Sequence, residues 1–216
     1  MLSLPLRASA PGAPLRLLAL GAHADDVEIG AGGTLLCLAQ SHDLDALIVV
    51  LSADDRRAAE ARASAAAFLT GCKVTVETHD LADGRFPAEW NSAKEILEAV
   101  SSAFSPDVVL GPSRSDAHQD HRVLADLIPT VFRDHLVLGY EIPKWDGDLG
   151  QPAVYVPISE EVLERKVKLL WEHFASQRDR EWFDEEAFRG LARLRGIECR
   201  TRFAEAFRCG KLALSL

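Results

Sequence analysis

The chain alternates short, almost wholly apolar runs with stretches in which apolar positions recur every three or four residues. Residues 15–21 and 46–52 are nearly continuous aliphatic runs, as a strand buried on both faces requires. Shorter runs at 74–78, 108–110, 136–140, 153–156 and 203–207 predict five further strands. Helices are predicted between them. Residues 32–41 form the first, and 55–69, alanine-rich and closed by Gly71, form the second. In 87–104 Trp90, Ala93, Ile96, Leu97, Val100 and Phe104 keep helical spacing before Pro106, and 121–132 is helical with Pro129 as a late interruption. Two more helices follow, one capped by Ser159 and running to about residue 176, the other at 184–194.

This strand-helix rhythm with short connections predicts an α/β fold, a Rossmann-like and mostly parallel sheet with helices on both faces. We expect one domain over residues 1–216, in which 141–216 form an extended C-terminal part that helps to close the site.

Two polar clusters interrupt the pattern where strands end. His23-Ala24-Asp25-Asp26-Val27-Glu28 follows the first strand and precedes Gly30-Ala31-Gly32-Gly33-Thr34, which reads as a turn opening a helix. The second cluster is His118-Gln119-Asp120-His121. Ligand crevices of open parallel sheets lie at the carboxyl ends of strands, so the clusters are expected to meet around one divalent ion. His23 and Asp26, three residues apart, can aim at one point from a single turn, while His121 arrives from another strand. Two imidazoles and a carboxylate suit Zn2+, with Fe2+ or another divalent ion as alternatives. Three such ligands leave a position for water, whose pKa zinc lowers to about 7.

Hydrolysis also needs proton transfer. Asp25, beside Asp26, is placed to act as general base. His118 is placed to stabilise an oxyanion as an imidazolium and to protonate a leaving amine, with Asp120 holding that charge by a hydrogen bond. Glu28 and Asp116 read as helix-start groups, and His42, His79, His135 and His173 as structural. Trp145, in a turn-rich loop, reads either as a sugar platform or as a cover for the core.

The clusters resemble the motifs of the PIG-L/LmbE-type metal-dependent de-N-acetylases, His-Pro-Asp-Asp-x-Glu before Gly-Gly-Thr and His-Pro-Asp-His. Here Ala24 and Gln119 stand in place of the prolines. The resemblance implies a Rossmann-like sheet, zinc ligands His23, Asp26 and His121, Asp25 as base, and His118 at the tetrahedral intermediate. It implies substrate contacts for Arg57, with Arg56 as the alternative, and for Asp83. It also implies removal of an acetyl group from N-acetylglucosamine-type sugars.

Composition narrows the field. At 216 residues, 48% hydrophobic and 26% charged, the chain matches soluble globular proteins. A net charge of -9 with no basic cluster argues against nucleic acid. The four cysteines form no Cys-x-x-Cys pair, which argues against thiolate zinc and redox motifs. Prolines break up residues 1–14, no run approaches a membrane span, and a cytoplasmic protein is expected, with homo-oligomerisation left open.

Motifs and resemblance together imply a zinc-dependent hydrolase that deacetylates an N-acetylated amino sugar, a small-molecule substrate. Two other readings stand beside it. One is a metal-dependent amidase or esterase acting on a non-sugar substrate. The other is a non-catalytic nucleotide-binding Rossmann module, drawn from Gly30-x-Gly32-Gly33 although the spacing departs from Gly-x-Gly-x-x-Gly.

Overall fold

The structure is a computed structural model and describes residues 1–213. In chain order the elements are β1 (Leu15–His23), α1 (Asp26–Ser41), β2 (Leu44–Ser52), α2 (Asp55–Phe68), β3 (Lys73–Thr78), α3 (Trp90–Ala103), β4 (Val108–Pro112) and α4 (Gln119–Val131). They continue with β5 (Leu136–Tyr140), β6 (Val154–Ile158), α5 (Glu160–His173), α6 (Glu185–Cys199) and β7 (Phe203–Cys209). A single 3-10 turn, Phe86–Ala88, precedes α3.

All the strands share one sheet in the order β3-β2-β1-β4-β5-β7-β6. The first five are parallel, and β7 pairs antiparallel with both β5 and β6. This is the doubly wound α/β sheet expected from the apolar pattern. Alternation along β1 feeds two cores, one on each face. Leu15, Leu17 and Ala19 join side chains of α1, α2, α5 and α6, whereas Leu18, Leu20 and Ala22 join those of α3 and α4. Each fully buried leucine contributes roughly 1.5–3 kcal/mol, which suits β1 to its interior place between β2 and β4.

The largest departure from the sequence reading is α1. Gly30 to Thr34 are not a turn but the middle of this helix, which begins at Asp26. Glycine costs about 1 kcal/mol in a helix, so a gain elsewhere must offset three of them. The gain is close approach. A Cβ on Gly30 would stand 2.3 Å from Cδ2 of the buried Tyr140, and one on Gly32 would stand 2.7 Å from Phe68 Cε1.

At Gly33 a carboxylate reaches the helix backbone. Glu205 accepts hydrogen bonds from the amides of Gly33 (2.8 Å) and Thr34 (2.6 Å). Its partner Lys166 donates to Glu205 at 2.6 Å and to the Ile29 carbonyl at 2.7 Å. A buried ion pair from α5 and β7 therefore plugs into α1 halfway along. Gly30→Ala should lower stability by about 1–3 kcal/mol despite its better helix propensity, because Tyr140 must move. Denaturant unfolding measures this, and an unchanged midpoint would refute it.

At the other end of the chain, α6 runs to Cys199, beyond the predicted 194. It closes on Arg200 in the left-handed region (φ 63°), a stop that no glycine marks in the sequence.

Candidate active site

β1 and β4 are neighbours where the strand order reverses: after β1 the chain builds β2 and β3 on one side and returns to form β4 on the other. Crevices for ligands open at such switch points. His23 is the last residue of β1, Asp25 the N-cap of α1 and Asp26 its first residue. The loop after β4 delivers His118 as N-cap of α4 and His121 in its first turn.

Nδ1 of His23 lies 3.2 Å from Nε2 of His121, and Asp26 Oδ2 lies 3.6 Å and 3.3 Å from these two atoms. The Asp26 oxygen is held in place by the backbone amide of His23 at 2.8 Å. Donor atoms set tetrahedrally on an ion at zinc-ligand distances are separated by about 3.3–3.6 Å, so these residues fit a small divalent cation. A third imidazole is close by, since ring nitrogens of His23, His118 and His121 lie within 4.8 Å of one another. His23, Asp83, His118 and Asp120 form a second group by the same measure.

Carboxylates stand behind the two ligand-type imidazoles. Nε2 of His23 is 3.1 Å from Asp83 Oδ1 and 3.3 Å from Asp120 Oδ2, and Nδ1 of His121 is 3.0 Å from Asp116 Oδ2. A carboxylate in this position orients the ring and raises its basicity. Asp116 is more than the helix-start group it was read as. In the sequence, an acid at a strand end before a helix is the ordinary pattern of a cap, so no signal marked it.

Two details differ from the sequence reading. Asp120 does not bond the His118 ring through its carboxylate, because Gly84 and Phe86 amides hold that carboxylate at 2.6 and 3.1 Å and turn it toward His23. His118 caps α4 by accepting the Asp120 amide on Nδ1 at 3.3 Å. A nitrogen that accepts carries no proton, so this contact favours the neutral ring with its proton on Nε2 over the imidazolium. Burial, together with the nearby His121 and His23, also pushes the His118 pKa down.

Asp25 occupies an N-cap position without making a cap hydrogen bond. It is buried and lines the cleft, with Oδ1 3.5 Å from Nη2 of Arg57. Arg57 also reaches Asp83 at 3.3 Å, whereas Arg56 points away and lies 3.8 Å from Glu60. Glu28 faces α2 and accepts from Ser64 Oγ at 2.7 Å.

The electrostatics follow from this crowding. Burial disfavours charge on His23, yet Asp26, Asp120 and Asp83 hold its pKa well above the usual value. His121, likewise buried, is raised to about 9 by Asp26 and Asp116. Asp26 is buried as well but kept well below the carboxylate range by His121 and His23. Burial and the neighbouring Asp26 raise Asp25, against the pull of Arg57. Contact with His23 lowers Asp83 to about 2, and burial lifts Glu28 to about 8.

Over these groups lies a cleft of about 340 Å³, also lined by Lys144, Trp145, Gln177, Arg180 and Trp182. Trp145 is exposed. Its sequence neighbourhood marked it as a candidate, but nothing there marked Lys144, Arg180 or Trp182.

Two buried carboxylates, Asp25 and Asp26, stand at the start of α1, where a nucleotide-binding module would hold a phosphate and where their charge would repel one. A doubly wound sheet with a His/Asp group able to take a metal at its switch point is a frame for metal-assisted chemistry. Residues 18–132 match the PIG-L family, described as GlcNAc-PI de-N-acetylase. The chain is 30% identical over 170 residues to the "Uncharacterized deacetylase YaiS" of Escherichia coli, covering 73% of this chain and 89% of that relative. The chain belongs to the PIG-L family, the deacetylases that hydrolyse amide bonds.

Solved structures share the fold. The N,N'-diacetylchitobiose deacetylase of Pyrococcus horikoshii matches with a TM-score of 0.69 and 20% identity, over 91% of this chain and 84% of its own. GalB, the 4-carboxy-2-hydroxymuconate hydratase of Pseudomonas putida, matches with a TM-score of 0.75 and 17% identity over 94% and 98%. The fold thus carries more than one chemistry, and the choice lies with the site. No helix among the described residues is long and apolar enough to cross a membrane.

Proposed function

We propose that the chain is a zinc-dependent hydrolase that removes the acetyl group from an N-acetylated amino sugar. The observation that carries this reading is the triangle of His23 Nδ1, Asp26 Oδ2 and His121 Nε2, with the uncapped carboxylate of Asp25 beside it. In the proposal His23, Asp26 and His121 hold the ion. Fe2+ or another divalent ion fits the same donors. When bound, zinc supplies Lewis acidity that polarises a carbonyl and acidifies water.

The protein's own groups do the rest. The Asp25 carboxylate takes the proton of the attacking water, and its raised pKa suits it to pass that proton to the leaving nitrogen. His118 Nε2–H donates to the carbonyl oxygen as negative charge develops there. Arg57 holds Asp25 and Asp83 in register, and Asp83 and Asp120 fix the His23 ring.

For the substrate, the family description names an N-acetylglucosamine compound, and a chitobiose deacetylase shares the fold. The cleft is consistent with a sugar. It is of small-ligand size, rimmed by Trp145 and Trp182 whose rings suit the apolar face of a pyranose, and polar at Arg57, Asp83, Gln177 and Arg180. In this reading the part of the chain between Ile142 and Trp182 closes one side of it.

Acetate release from N-acetylglucosamine, its disaccharide and sugar nucleotides, set against simple N-acetyl amines, tests the reading with zinc-loaded protein. Turnover should be confined to sugars. Turnover of the amines alone would replace it with a non-sugar amidase or esterase.

A further inference from the structure

Lys144 lies in a loop far along the chain from either motif, yet its ammonium sits at the back of the candidate metal centre. Nζ is 3.0 Å from Asp116 Oδ1 and 2.6 Å from Asp148 Oδ2, with Asp146 at 3.9 Å, and the Lys144 and Asp116 side chains are 9% and 3% exposed. Both oxygens of Asp116 are thereby committed. Oδ2 lies 3.0 Å from Nδ1 of His121, an ionic contact without hydrogen-bond alignment, and Oδ1 takes Lys144 together with the His118 amide at 2.8 Å. The carboxylate cannot turn without breaking one of these contacts.

The loop holding Lys144 is itself fixed. Its base is closed by the buried Arg195, which donates to Glu141 at 2.8 and 2.7 Å and to the Gly150 carbonyl at 3.0 Å. Asp148 also accepts the Ala117 amide at 2.6 Å, which ties the loop to the segment leading into α4.

We infer that Lys144 is a positioning residue of the metal centre, clamping Asp116 against His121 so that the imidazole is aimed at the ion before it arrives. The inference rests on the ligand set proposed above. A buried carboxylate without its cation is costly and rearranges, and a ring that has lost its orienting carboxylate holds metal less well. Lys144 also lines the cleft, but the role inferred for it runs through Asp116 and is read by zinc affinity in the absence of substrate.

The test is a double-mutant cycle read by zinc affinity of the purified metal-free protein, in competition with a chromophoric chelator. Lys144→Gln should weaken zinc binding by about tenfold, at the low end of what groups behind a ligand contribute. Lys144→Arg, which keeps the charge, should restore most of it. In an Asp116→Asn background Lys144→Gln should cost nothing further, because the lysine has lost what it holds.

Unchanged affinity in Lys144→Gln, or an equal loss with and without Asp116, overturns the inference. Should Lys144→Gln not fold, Asp148→Asn frees the lysine's other anchor and is expected to weaken zinc in the same direction, only while Asp116 is a carboxylate. Unchanged zinc affinity in Asp148→Asn would likewise overturn it. His121→Ala separates the two levels: zinc affinity surviving there sinks the ligand set itself, whereas loss there with no effect of Lys144→Gln sinks only the clamp.

Discussion

Asp25→Asn is expected to lower kcat by about 10²–10⁴-fold, the range attached to a positioned general base, while metal content stays at that of the unaltered protein. The expectation comes from what Asp25 does not do. It stands where a helix N-cap stands, but its side chain leaves the α1 amides alone and points into the cleft beside Arg57. An amide of the same shape keeps the packing and takes no proton. Acetate release under saturating zinc, with elemental analysis of the same sample, gives both readings. Near-normal turnover would remove Asp25 from the chemistry, and loss of metal would move it into the ligand set.

The second large effect is expected from His121→Ala, in which metal and activity should disappear together. The imidazole is one of three donors and also lies between two buried carboxylates, Asp26 and Asp116. Removing it leaves those charges facing one another, so the metal-free variant should also unfold earlier, by about 3–5 kcal/mol, as when one partner of a buried pair is deleted. Dialysis followed by metal analysis, with thermal unfolding alongside, measures the two losses. Full metal occupancy after dialysis would show that the ion is held elsewhere.

The sheet was legible because β1 and β2 are aliphatic on both faces, a pattern with few other meanings. The clusters at His23 and His118 were legible because acids and imidazoles that dense, at a strand end, have few structural uses. Contacts between distant loops were not. Asp116 looks like any cap in sequence, and Lys144 like any loop lysine, until the fold sets one against the other. Gly30 to Thr34 misled for the opposite reason: glycine usually signals a turn, and only the position of Tyr140 shows that here it makes room. The His118 ring was located, but the cap hydrogen bond it accepts from the Asp120 amide is something spacing cannot reveal.

The Lys166–Glu205 plug in α1 has a practical consequence. The segment recognised by the PIG-L family ends at residue 132, yet two amides and a carbonyl inside it are bonded by side chains contributed at positions 205 and 166 respectively. A fragment trimmed to the recognisable stretch would strip the central helix of its internal counter-ions, so shortening this protein for expression from that side would remove part of its scaffold along with the unmatched sequence.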